Sequence, residues 1–186
     1  MEIGTQIATT REQSKRLLAM GIKSETADMV HHYTNSKVEG LKWELQPHPP
    51  TLRGEYWTPQ RISKLANPWH KNPDGTLMTG EQVFDHLWGK DIPAWSLDRL
   101  RTLLPYEIDT DGVRKACIQT FFHLDFGTTV RYHIEGEFEY FHQEVNINSF
   151  EAYISMIEWL THNKHLPTEK TIFNFMYNEK QSKHEK

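Results

Sequence analysis

The chain has 186 residues and carries 21 basic against 25 acidic side chains, a formal net charge of −4 with histidine neutral. Hydrophobic residues make up only 37%, but aromatics reach 12% with six Trp, so the apolar mass sits in large rings able to build a core. This excludes disorder throughout; the lone Cys117 excludes a disulfide scaffold, and no apolar run approaches the ~18 residues of a membrane span. The opening MEIGTQIATTREQ has neither a basic stretch nor an apolar one behind it, so no signal peptide is read there and the expected compartment is the cytoplasm.

The first predicted element is a helix entered through a capping box, Thr9 with Glu12 or Thr10 with Gln13, running to about Met20 with Gly21 as its stop. Ser24 caps a second helix through Ala27, Met29 and Val30 towards His32. Residues 43–78 follow as an irregular, aromatic and proline-rich insertion holding Trp43, Tyr56, Trp57 and Trp69. Inside it, Thr58-Pro59 opens a short helix 58–66 through Ile62 and Leu65. Thr79 and Gln82 form another capping box ahead of Val83, Phe84, Leu87 and Trp88, and Ser96 caps a helix of Leu97, Leu100, Leu103 and Leu104 that ends at Pro105.

After Pro105 the period changes from helical to two. Ile118, Thr120, Phe122, Leu124 and Phe126 alternate with polar neighbours, as do Val130, Tyr132 and Ile134, then Phe138 and Tyr140, with Gly136 as a bulge or second turn. The pattern predicts an antiparallel ribbon of two or three strands covered on one side. From Asn148 a helix rich in Phe150, Tyr153, Ile154, Met156, Ile157, Trp159 and Leu160 leaves only a narrow polar stripe and is expected to be central. Pro167 starts a last helix, and residues 181–186 are expected to fray. The predicted fold is α+β: a helical N-terminal half, a short ribbon and a central C-terminal helix, in a single domain over 1–180.

Three segments, REQSKRLLAMGI with ETADM close behind, DIPAWSLDRLRTLLP, and IEWLTHNKHLP, resemble a family of small uncharacterised proteins carried by prophages and mobile elements of gut bacteria. The resemblance spans most of the chain outside 43–78 and implies a phage or mobile-element origin. Its motifs are packing motifs, and no functional residue carries over.

Eleven histidines raise the question of a metal. His31 and His32 on a helix point about 100° apart, unlike the i, i+4 pairs of helical zinc sites. In the ribbon, a loop at Gly127-Thr128-Thr129 keeps every apolar residue on one face and sets Asp125 opposite Arg131 and His123 opposite His133. His123, His133 and Asp125 are then a candidate His₂–carboxylate set, against the alternative of a solvated polar face. Cys117 lies roughly 20 Å along the strand from His123, too far for a nucleophile–base pair, so only a His from another element could serve, and the favoured reading is a small buried hydrophobe. Glu107 to Gly112 imitates a calcium loop, but its twelfth position is Ile118, where a bidentate Glu is required. Pro47-His48-Pro49-Pro50 is either a polyproline recognition segment or a rigid loop.

Charge splits unevenly. Residues 106–163 hold three basic and ten acidic side chains, net −7, which argues against nucleic acid as a partner. The function expected is that of a non-enzymatic accessory protein binding an unknown protein partner, with Tyr56, Trp57 and Trp69 as candidate contact residues and no cofactor. The alternatives are a metal-binding protein or hydrolase using the ribbon histidines, and a nucleic-acid-binding regulator using Arg61 and Lys64.

Overall fold

A computed structural model of the chain describes residues 6–34, 36–49 and 55–166. The helix expected from Pro167 and the tail 181–186 lie outside the described residues. The chain divides into two compact units, Met1–Arg99 and Leu100–Lys186, and each carries its own antiparallel sheet.

In the first unit, helix α1 (Arg11–Ala19) starts at the second of the two candidate boxes. Thr10 Oγ1 accepts from the Gln13 N–H at 3.2 Å, and Gln13 Oε1 accepts from the Thr10 N–H at 2.8 Å. The helix expected after Ser24 is overturned. Ser24–Thr26 makes a single 3₁₀ turn, and Met29–Tyr33 is strand β1, paired on one side with β2 (Trp43–Gln46) and on the other with β3 (Ile92–Ala94). Val30 and Tyr33 are β-branched and aromatic; Val30 has a strand on each side, and Tyr33 pairs with β2 while its N–H donates to Asp91 Oδ1 at 3.2 Å, partners that outweigh a cap at Ser24. Strand β2 lies within the stretch read as irregular. Helix α2 (Pro59–Ser63) follows Thr58, and helix α3 (Gly80–Trp88) repeats the capping box through Thr79 and Gln82. A Cβ on Gly80 would stand 2.0 Å from the Ile62 carbonyl oxygen, so only glycine lets the start of α3 approach α2 this closely.

The first unit's core is small. Leu17, Val30, Val83, Ala94 and Trp95 are buried beside a polar knot in which Thr9 and Ser14, both buried, share a hydroxyl hydrogen bond of 2.8 Å. The Trp95 backbone N–H donates to Thr9 Oγ1 and its indole N–H to Thr26 Oγ1, each at 3.0 Å, so this ring is buried with no donor left over. Ser96 accepts the Arg99 N–H at 3.2 Å and caps helix α4 (Leu97–Leu103) as its sequence predicts.

The second unit is a four-stranded meander in the order β4 (Glu107–Asp109), β5 (Lys115–His123), β6 (Gly127–Ile134), β7 (Tyr140–Asn146). Helix α5 (Ser149–His162) lies against β6 and β7, capped by the Asn148 side chain, which accepts the Phe150 N–H at 2.9 Å. Val130 and Tyr132 meet the helix face carrying Tyr153, Ile154, Ile157 and Leu160, and all six are buried. The Tyr132 hydroxyl donates to the Pro105 carbonyl at 2.6 Å, and burial pushes its pKa well above the ordinary phenol range. A helical N-terminal half and a two- or three-stranded ribbon therefore do not describe this fold. Helices are scattered among two sheets of three and four strands.

Candidate functional site

The β5–β6 hairpin carries the main departure from expectation. His123 pairs with Gly127, Phe121 with Thr129, Gln119 with Arg131 and Cys117 with His133. The connection is Leu124-Asp125-Phe126, three residues earlier in the chain than the loop predicted at Gly127-Thr128-Thr129. Gly127 decides this register. Its φ is +77°, which favours glycine at the end of such a loop, and a Cβ there would stand 2.3 Å from Ile147 Cα.

The shift undoes the candidate metal set. His133 faces Cys117, which is half-buried rather than buried as expected, because this face of the sheet is not the one α5 covers, and His123 lies six residues, roughly 20 Å, further along β5. His133 Nε2 reaches the Glu137 carbonyl at 3.0 Å, and His123 packs between the rings of Phe121 and Phe126. Asp125 sits in the loop, away from Arg131, whose guanidinium instead donates to Gln119 Oε1 at 2.7 and 2.9 Å and covers the Phe121 ring. Among the described residues no three His, Cys, Asp or Glu side chains gather as a ligand set.

The other candidates are dispersed. In strand β1, His31 and His32 point to opposite faces: His31 Nε2 meets the Thr9 carbonyl at 2.7 Å, and His32 Nδ1 meets Asp91 Oδ1 at 2.8 Å. Trp57 packs against Phe84 and Trp88 within its own unit, and Tyr56 stands edge-on to Trp57 beneath Arg61. Only Trp69, 90% exposed, is a free ring. The calcium-like stretch is strand β4 over Glu107–Asp109, and only the residues after it form a turn. Asp111 accepts from the backbone N–H groups of Val113 and Arg114 and from the Arg114 guanidinium, and these bonds pull its pKa down to about 2.

What the hairpin brings together instead is apolar. Phe122 is 69% exposed, Leu124 fully so, Phe126 68%, and Ile147, beside Gly127, 82%. Phe121 and Val145 extend the surface down the sheet, each more than a third exposed. Scattered exposed apolar residues are ordinary, but several large ones on one protruding tip are the mark of a contact surface. Sequence reasoning placed Phe122, Leu124 and Phe126 on the covered face because it favoured keeping the alternation unbroken. The one signal that could have found them is Gly127 itself, set immediately after the loop as the first residue of β6. A cleft of about 340 Å³ lined by Asn72, Met78, Gln82, Asp85, His86, Gly89 and Lys90 lies in the first unit, with no Ser, Thr or Cys among its walls.

Among the described residues no helix is long and apolar enough to cross a membrane. No family model, curated protein or solved structure matches the chain.

Proposed function

We propose that the chain is a non-enzymatic, cytoplasmic accessory protein that binds another protein through the tip of the β5–β6 hairpin. The observation that carries this reading is the group Phe122, Leu124, Phe126 and Ile147, held out into solvent on a hairpin whose register is fixed at Gly127. Covering such side chains removes apolar area from water at about 25 cal/mol per Å², and large anchors of this kind dominate protein interfaces. Cys117 does face His133 across the two strands, but the His133 Nε2 is spent on the Glu137 carbonyl and His123 stands apart on β5. An origin on a phage or mobile element rests on the resemblance of the three packing segments. Trp69 is a second exposed anchor in the first unit.

The test is site-specific photo-crosslinking in host lysate, with a photoreactive phenylalanine at position 124, at 69, or at the exposed control position Leu77. One protein captured from position 124, absent from position 77 and lost on Phe126→Ser, is the expected result. Equal capture from positions 124 and 77 rejects the hairpin, and capture from position 69 alone moves the surface to the first unit.

A further inference from the structure

Strand β4 accompanies β5 only over Lys115–Cys117, with one further bond from the Ile118 N–H to the Tyr106 carbonyl at 2.9 Å. From Gln119 to His123, β5 has β6 on one side, and among the described residues no strand on the other. Because the Ile118 N–H points toward β4, alternation along the strand aims the N–H and C=O groups of Thr120 and Phe122 the same way, at the open edge. Such edges are normally blunted by lysine, proline or charge. The run Gln119-Thr120-Phe121-Phe122-His123 contains none of these. It offers Phe122 on the sheet face that α5 packs against and Phe121 on the other, both exposed.

Resting on the hairpin reading above, we infer that this edge is a strand-addition site, and that its occupant is an extended partner segment with an apolar centre and basic flanks. The charge of the surroundings selects that occupant. Of the three basic side chains in residues 106–163, Arg114 is paired with Asp111 and Glu137 and Lys115 with Glu107, while Arg131, bonded to the neutral Gln119, keeps its charge over the Phe121 ring against the excess of carboxylates. Ten carboxylates share that stretch, and Asp125 stands in the loop at the end of the open edge. A second copy pairing edge to edge would set two such acidic stretches side by side, whereas lysines at the ends of an incoming strand meet the field favourably. The incoming backbone would close the free groups of Thr120 and Phe122 at the usual spacing of about 4.8 Å, and its side chains would cover Phe121 and Phe122.

The probe is a synthetic nonapeptide of alternating Val and Thr with two Lys at each end, added to the full chain. Its controls are the same peptide with Glu ends and the same peptide N-methylated on the pairing edge. Saturable binding is expected, read by fluorescence polarisation. Amide exchange at Thr120 and Phe122, fast in the free protein, should slow, and each control and Phe122→Lys should bind about tenfold or more weakly. Equal affinity for the N-methylated or Glu-ended peptide, or binding that leaves Thr120 and Phe122 unprotected, overturns the inference. So does concentration-dependent dimerisation that protects the same two amides, which would make the occupant a second copy. If position 124 still captures a protein while no peptide protects the edge, strand addition fails and the protein-binding reading stands; if neither occurs, both fall.

Discussion

Asp111 shows how a few local bonds set the chemistry of one exposed carboxylate. The Arg114 N–H is the largest cause of its low pKa, followed by the Arg114 guanidinium and then the Val113 N–H. A carboxylate whose folded pKa is depressed contributes stability that is present above its ordinary value of 3.8 and lost as pH falls through about 2. The β4–β5 turn should therefore hold its structure at pH 4 and loosen between about 3.8 and 2. Arg114→Gln removes the side-chain contribution and leaves the backbone donors, so the Asp111 pKa should rise yet stay below 3.8. Carboxyl-carbon NMR titration measures both, and an Asp111 that titrates at its ordinary value in the wild-type chain would refute the geometry. Side chains of this sort were not legible beforehand. The stretch Glu107 to Gly112 reads in sequence as a failed calcium loop, but which amides converge on which carboxylate depends on the backbone path.

At the scale of elements, what was legible followed from local rules. Capping boxes at Thr10 and Thr79, the Ser96 cap and the Asn148 start of α5 all stand where side-chain spacing put them. They need nothing beyond four consecutive residues. Strand β1 and the β5–β6 register depend on partners distant in sequence, and there local pattern misled. Two substitutions probe these cases. Ile157 is fully buried in α5, and Ile157→Ala should cost on the order of 2–5 kcal/mol by denaturant melt. A change near zero would make α5 peripheral. Gly127→Ala must hold φ near +77° and push a Cβ into Ile147 and Asn146. It should cost about 2 kcal/mol or more, with the loss concentrated in amide protection of β6 and β7. Unchanged protection at Thr128 to Val130 would mean that the hairpin does not depend on this glycine.

At the scale of the whole molecule, composition constrains partners more firmly than any element does. A regulator reading DNA through the region of α2 would offer Arg61, Lys64 and Lys71, with Arg53, which lies outside the described residues. Arg61 already donates to the Tyr56 carbonyl at 2.7 Å and stacks on its ring, so using it means giving up those contacts. Even four phosphate contacts give a salt slope of only about −3.6, the signature of weak, sequence-independent attachment. Against that stand a formal charge of −4 over the chain and net −7 over residues 106–163. Repulsion from those carboxylates is felt within a Debye length, ~8 Å at physiological salt, and grows as salt is lowered, together with any attraction. The expected outcome is no detectable binding to double-stranded DNA at physiological salt and micromolar protein, in polarisation assays over random and promoter-derived duplexes. Saturable, sequence-dependent binding would overturn the protein-partner reading and favour the regulator, because sequence dependence requires base contacts that the charge of this chain does not supply.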